Sequence, residues 1–466
     1  MRGLSSTLIL VVVLAGLGGY IYFVDSKKPA ASADGSSATK EKVFTVEAGK
    51  INELRVTYQG DSSLLKKDDS GWKMIEPSPI DADPPEAIGV ASALTNVEIV
   101  RVIDDNATNL EQFGLANPQI TVAFKAEGGA SGTLKLGHKN ATQGEIYALK
   151  NDEKRVFLVS SFQETSFNRK PFDLRDKKIL KFDRDKADSL VLEKGANTIE
   201  MSRSGSEWKV VKPIPSRSDY STIEGFITRL SSANMSKLVE EKPADLAKYG
   251  LDKPSMKVTI GAGSAKTVLE VGKAKDGETY ARDASRPMVF MVDTTLHGDL
   301  DKNFDDYRKK ELFEFRPFYL AKMRAVLDAP NGPKTYEFEK QKPATPSDPE
   351  TWKVTRVGGP SHTADQTAMD DLLNKLVAIK AEAFVDAKTR TGIDKPALVV
   401  SASFDEGKFE RVRFGQVGET AYGLRDGETG IARIDSNSMK AAMQAFDIAV
   451  TPKEPTPAPP KEGAKK

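Results

Sequence analysis

The sequence predicts an α+β fold: an N-terminal single transmembrane helix followed by three repeated modules, each a mostly antiparallel sheet with a packed helix. Three observations point there. The chain opens on an uncharged apolar run from Leu8 to Val24, its three tryptophans all stand in one Trp-Lys phrase, and each phrase precedes a stretch of helical periodicity set among short alternating runs.

The apolar run holds 17 residues, or 21 when the uncharged Leu4 to Thr7 are added. At about 1.5 Å per residue this spans a hydrocarbon core of about 30 Å once. Tyr20, Tyr22 and Phe23 near its end, with Lys27 and Lys28 after it, suit a membrane interface. Ala31-Ser32-Ala33 has the pattern of a signal-peptide cleavage site. It lies well beyond an apolar run that is itself longer than a signal core of roughly 7 to 15 residues. Residues 1–24 are therefore expected to be an uncleaved anchor, and either reading exports the remainder. Lysine and arginine counts on the two sides nearly balance, and the orientation taken is N-terminus inside, bulk outside. Gly16-x-x-Gly19 is ordinary glycine content for a membrane helix and implies no dimer. Residues 25–42, rich in Ala, Ser, Gly and Lys, read as a flexible linker, and 451–466, with five prolines and four lysines, as a disordered tail.

Between these ends the chain is too long for one ordinary core, and it repeats itself. Trp72-Lys73, Trp208-Lys209 and Trp352-Lys353 lie 136 and 144 residues apart. Each is followed by an aspartate (Asp83, Asp219, Asp365) and a glycine phrase (Phe113-Gly114-Leu115, Tyr249-Gly250-Leu251, Thr391-Gly392-Ile393). A proline (Pro118, Pro254, Pro396), a second glycine (Gly137, Gly272, Gly415) and a tyrosine (Tyr147, Tyr280, Tyr422) complete the series. Six landmarks in one order, three times over, define a module of domain size. The expected bounds are 43–180, 181–316 and a divergent 317–450, placed at the charged stretches Arg175 to Lys178 and Arg308 to Glu311. The third copy departs most, with an insertion at Lys342 to Pro346 and Thr391 where the others carry an aromatic.

Within a module, runs such as Leu54 to Tyr58, Trp72 to Ile75, Ile120 to Phe124, Thr133 to Leu136, Ile146 to Leu149 and Val156 to Val159 read as strands joined by hairpins. Pro84 to Val97, Thr222 to Met235 and Thr367 to Ala381 carry apolar residues at helical spacing, and the aspartate before each suits an N-cap. The repeated aspartate is thus structural.

Composition narrows the chemistry. With 68 Lys+Arg against 67 Asp+Glu the net charge is +1, which provides no field for nucleic acid, and no nucleic-acid partner is expected. The absence of cysteine removes thiolate nucleophiles, Cys zinc sites and disulfides. His138, His297 and His362 fall at unrelated module positions without metal-ligand spacing. Gly261-Ala262-Gly263-Ser264 lies between two strands and reads as a hairpin loop, whereas a nucleotide loop needs a helix to follow. Asp183-x-Asp185-x-x-Asp188 lacks the glycine and terminal glutamate of a calcium loop. The tryptophans and tyrosines, fixed at one position per module, read as core in preference to ligand platforms. No catalytic, cofactor-binding or metal-binding residue is assigned, and no cofactor is expected.

Taken together, the apolar anchor, the Trp-Lys strand followed by Pro and Asp, the Phe/Tyr-Gly-Leu-x-x-Pro phrase, the Leu/Val-Gly strand and the following Tyr resemble the bacterial family known as domain of unknown function 4340. The resemblance covers 43–310 well and 317–450 loosely. It implies a membrane-tethered envelope protein of the inner membrane, of a kind often encoded beside ABC-type transporter components linked to gliding motility, and it carries over no catalytic residues. The expected function is a non-enzymatic binding or accessory scaffold for such a complex, with a transporter permease or other envelope protein as partner. Two alternatives are a binder of cell-wall glycan or peptide through exposed aromatics, and a carboxylate-dependent envelope hydrolase, whose paired acids leave no sequence signature.

Overall fold

The computed structural model describes residues 41–343, 345, 350–386 and 388–452. The expected anchor, most of the linker and most of the tail lie outside the described residues. Among the described residues no helix is long and apolar enough to cross a membrane. Contacts divide the chain into two compact units, Met1–Asp176 and Lys177–Lys466.

The first unit contains one sheet of nine strands. They are β1 (Ile51–Tyr58), β2 (Asp61–Asp68), β3 (Gly71–Glu76), β4 (Ile80–Asp81), β5 (Arg101–Asp104), β6 (Ile120–Ala126), β7 (Ser131–Lys139), β8 (Glu145–Lys150) and β9 (Val156–Ser160). All pairings are antiparallel, in the order β4-β3-β2-β1-β6-β7-β8-β9-β5. Two meanders therefore meet at β1 and β6. The chain crosses from one sheet edge to the other through α1 (Pro84–Thr95), which buries Ala87, Val90, Ala91 and Leu94 against the sheet. Two short helices, α2 (Phe162–Phe167) and α3 (Pro171–Leu174), close the same core with Phe167 and Leu174.

The second unit repeats this plan twice. Its first sheet runs through β10 (Ala187–Lys194), β11 (Asn197–Ser204), β12 (Glu207–Lys212), β13 (Ser216–Arg217), β14 (Lys237–Glu240), β15 (Met256–Ala262), β16 (Ala265–Lys275), β17 (Glu278–Asp283) and β18 (Val289–Val292), with helices α4 (Tyr220–Ser232) and α5 (Thr294–Leu300). Its second sheet holds β19 (Leu320–Leu327), β20 (Lys334–Gln341), β21 (Thr351–Arg356), β22 (Ser361–Thr363), β23 (Ala381–Val385), β24 (Leu398–Phe404), β25 (Lys408–Val417), β26 (Thr420–Arg425) and β27 (Ile431–Ile434), with α6 (Gln366–Ala378) and α7 (Ser436–Ala449). Both sheets have the strand order of the first. The α+β architecture and its triplication are thus as the sequence predicts.

The landmarks recur because each has a task in folding. Trp72, Trp208 and Trp352 are 5%, 3% and 1% exposed, pointing inward from the third strand. Asp83, Asp219 and Asp365 accept hydrogen bonds from the backbone N–H of Glu86, Thr222 and Ala368, which removes one unsatisfied donor at each helix start. The glycine phrase turns the chain at Gly114, Gly250 and Gly392, after a 3-10 helix in the first two modules, with φ of 71°, 68° and 72°, a conformation with little penalty only for glycine. That turn then lies on the outer face of the sheet against the second glycine. A Cβ on Gly137, Gly272 or Gly415 would stand 2.1, 2.2 or 2.3 Å from the carbonyl oxygen of Phe113, Tyr249 or Thr391. The phrase covers the outer face of the last strands, so β9 and β18 are buried on both sides and read as continuous apolar runs. Tyr147 and Tyr280 pack on Phe113 and Tyr249 with ring centroids 5.0 Å apart.

The structure draws the module junctions slightly earlier than the charge pattern does. Lys42, Lys178 and Glu311 each form a β-bridge to the residue run after the long helix of their own module, at Glu98, Asn234 and Lys380. Ile179 and Leu180 are buried, and Ile179 N–H donates to Ala233 in the second module. Leu312, Phe313 and Phe315, placed by sequence in the second module, sit in the core of the third. The end of the expected linker is likewise part of the fold, since the Glu41 carboxylate receives two hydrogen bonds from Arg155. Charged stretches mark the junctions, but the chain turns within them.

The second and third modules share one unit and an ionic seam. Arg217 pairs with Glu428, reaches Glu314 at 2.9 Å and donates to the carbonyl of Glu311. Arg425 pairs with the buried Glu410, whose carboxylate also accepts the N–H groups of Glu314 and Phe315. Burial pushes the Glu314 carboxyl up, but Arg217 and Lys309 outweigh it and bring the group down from 4.5 to about 2.

Gly272→Ala should lower stability by roughly 2 kcal/mol, because backbone and not a flexible side chain occupies the Cβ site. Gly225→Ala, on the exposed face of α4 with nothing within 4 Å, should raise it by about 0.5–1 kcal/mol. Urea unfolding midpoints of the two variants check both signs, and a harmless Gly272→Ala would contradict the packing described. Because Glu314 is depressed in the folded state, its stabilising contribution is present above pH 4.5 and lost as pH falls towards 2. Glu314→Gln should flatten that limb in a stability-against-pH titration; an unchanged limb would show that the seam is not what titrates.

Candidate functional site

The residues marked in the sequence do not converge. His138 is exposed and covers Gly114, His297 lies in α5, and His362 lies on the edge strand β22. Gly263 and Ser264 form the turn of the β15–β16 hairpin, as expected. Asp183 caps the turn 184–186, and Asp188 accepts from the N–H of Gly263, so these aspartates serve local backbone. No group of three or more His, Asp or Glu that could hold a metal occurs among the described residues. The buried tryptophans are unavailable as stacking platforms.

What the fold leaves open is the outer face of each sheet over its central strands, the part that neither the helices nor the glycine phrase covers. In the third module this face forms an open trough of about 550 Å³, and the first module has a counterpart of about 560 Å³. Sheet register makes the two comparable position by position. Arg324 on β19 stands opposite Ser401 on β24, which stands opposite Arg411 on β25. Two residues along, Lys322, Ser403 and Phe409 form a second row. The equivalent rows in the first module are Arg55-Ala123-Thr133 and Glu53-Lys125-Ser131. In the second module they are Val191-Thr259-Val268 and Ser189-Gly261-Lys266.

The first module neutralises its trough internally. Arg55 is 2.7 Å from Glu76, which holds the guanidinium above its ordinary value. Lys125 and Lys66 lie 2.8 and 3.2 Å from Glu53 and keep that carboxyl below its own. A bulge in β3 turns Glu76 to the outer face, opposite Leu64. In the third module β21 has no bulge, and Thr355 takes that place opposite Glu337. The cross-strand pair Glu53–Lys66 reappears with its charges exchanged as Lys322–Glu339 at 2.8 Å.

The result is a polarised trough. Arg324 and Lys353 make no ion pair among the described residues, Arg411 is only loosely tied to Ser401 and Asp426, and the Phe409 ring is 62% exposed. Glu337 and Glu339 line the β20 side. A hydrolytic pair needs one carboxyl raised to act as acid. Glu339 is instead lowered, by its hydrogen bond from Lys322 and that lysine's charge. Sequence inspection missed this site because its members come from five strands and become neighbours only through register. The available signal was Arg-x-Arg (Arg411, Arg413) at strand periodicity in the third copy alone, with Ser-x-Ser (Ser401, Ser403) on the preceding strand.

Fold and surface together define a protein of three tandem α+β modules with open sheet faces. The chain belongs to the family described as Domain of unknown function (DUF4340), matched over residues 72–217 and 208–396. Each matched stretch begins at a Trp-Lys strand, and the first runs through the junction into the next module. No curated protein is similar to it in sequence. Among solved structures, a DNA polymerase sliding clamp from Pseudomonas aeruginosa aligns with 84% of this chain and 92% of its own, at 9% identity and a TM-score of 0.17. That likeness is too slight to bear on fold or function.

Because Arg324 has no ion-pair partner among the described residues and Phe409 is mostly exposed, Arg324→Ala and Phe409→Ala should each shift stability by less than about 0.5 kcal/mol. Unfolding midpoints check this; a larger loss would make the trough part of the scaffold.

Proposed function

We propose that this protein is a non-enzymatic, membrane-tethered scaffold of the bacterial envelope, whose modules present open sheet faces to a partner in an ABC-type transport complex. The observation that carries the binding part is the division of labour in each module. The repeated tryptophans, aspartates and glycines serve burial, capping and close backbone approach, whereas the matched rows on the exposed outer faces differ from copy to copy. Variable surface on a common framework is the arrangement of a binding protein. The apolar run Leu8 to Val24 supports the tether, and the resemblance to envelope proteins encoded beside transporter components supports the kind of partner.

Crosslinking in intact membranes followed by affinity purification of the full chain tests this reading, with a control carrying an unrelated membrane helix. Stoichiometric recovery of a transporter permease is expected. Retention of the permease by the control would place the contact in the modules, and its loss would place it in the helix. Recovery of the protein alone would overturn the transport reading. The polarised trough favours a second reading, attachment to a saccharide of the envelope.

A further inference from the structure

We propose that the outer-face trough of the third module is a binding site for an anionic glycan, with the acidic group of the sugar over Ser401 between Arg324 and Arg411, and a pyranose ring on Phe409. This deepens the binding part of the scaffold reading and does not depend on the transporter.

The first argument is an internal comparison. The three modules share one fold, so a difference between them at matched register positions is not imposed by folding. Only the third sets two arginines about a hydroxyl, with a lysine, a second hydroxyl and an exposed phenyl ring in the adjoining row. The first module holds its Arg55 in an ion pair with Glu76, and the second carries Val191 there. In the third, Thr355 stands where Glu76 does, and Arg324 makes no ion pair among the described residues although Glu337 is its cross-strand neighbour.

The second argument is size and shape. Strands lie about 4.8 Å apart and alternate residues on one face about 7 Å apart. Arg324 and Arg411 are therefore roughly 10 Å apart at the backbone, with Ser401 between them. Two guanidinium groups across a hydroxyl suit a carboxylate or other oxyanion, for which arginine offers paired donors. The trough is open, which suits a polymer passing across it.

The third argument separates the ligand classes. A peptide added as a strand needs a free sheet edge. Here β19, β24 and β25 are all paired on both sides. A polyphosphate would meet Glu337 and Glu339 across the trough, whereas a sugar acid turns its carboxylate to the arginines and its hydroxyl donors to Glu337. Phe409, exposed beside Ser403, offers an apolar face to the C–H face of a ring, as aromatic side chains in sugar sites do.

The test is binding of the full-length protein in detergent to immobilised polygalacturonate, alginate and hyaluronate. Fully methyl-esterified pectin serves as the neutral control, polyglutamate as the acidic peptide and phosphatidylglycerol vesicles as the anionic surface. Binding to at least one acidic saccharide is expected, weakened with salt and absent for the esterified polymer. Arg324→Ala should weaken it about tenfold, Arg411→Ala similarly and Phe409→Ala about fivefold, while Arg55→Ala in the first module leaves it unchanged. Arg324→Lys should keep part of the affinity that Arg324→Ala loses. Absence of binding to all three saccharides overturns the proposal, as does binding that ignores the third-module variants. Equal binding to polyglutamate or vesicles without any effect of Phe409→Ala reduces the site to a general basic patch and also overturns it. Permease recovery in the crosslinking experiment is read separately, so either reading can fail alone.

Discussion

The interaction on which each module depends is the seating of the glycine phrase against the second glycine. The carbonyl oxygens of Phe113, Tyr249 and Thr391 occupy the space a Cβ would take on Gly137, Gly272 and Gly415. The contact lets a connecting segment lie flat on the outer face of the sheet. Once there, it supplies Phe113 and Leu115, or Tyr249 and Leu251, as a second apolar layer over β9 or β18. A nine-stranded sheet has more face than one helix can cover. The phrase takes the far third, the long helix and the module's C-terminal helices take the inner face, and the outer face over the central strands is left to water.

That partition explains why the copies differ where they do. Positions inside the partition answer to packing, and here too the third copy differs. The third module lacks the aromatic at Thr391, and it builds its inner layer with the long α7 where the others use short helices. α7 packs Phe446 against Tyr336 and Phe338. Positions outside it answer only to local charge. The same cross-strand pair can be Glu-Lys in one copy and Lys-Glu in another without disturbing a sheet. A face free of folding demands can be specialised, and in the third module that face carries two arginines about Ser401.

Between the second and third modules the constraint is electrostatic. Arg217 of the second module reaches Glu428, Glu314 and the carbonyl of Glu311 in the third, where Glu314 is in turn held by Arg425 and by its N–H to the buried Glu410. Ion pairs of this kind are geometrically demanding, since an unpaired partner is left desolvated. They link two modules that lie in one compact unit.

Much of this was legible beforehand because it is local. Trp72 and its repeats, the Asp83, Asp219 and Asp365 caps and the Gly114 turns announce themselves through residue type and spacing. The helix faces do so through periodicity, as Ile223, Phe226, Ile227 and Leu230 show. Less legible were β2, whose Asp-Ser-Ser-Leu-Leu-Lys-Lys-Asp has no clean alternation, and α7, which falls outside the repeated landmarks. The junction residues Leu312, Phe313 and Phe315 enter the third core and not the second, because which core an apolar residue joins depends on where the chain turns within a charged stretch. By itself, then, the sequence determined the class of fold, the triplication and the structural role of the repeated tryptophans and aspartates, all consequences of short-range chemistry. Only the tertiary structure decided which charges face one another. Arg324, Ser401 and Arg411 are neighbours through hydrogen-bond register between distant strands, and register is a property of the assembled sheet.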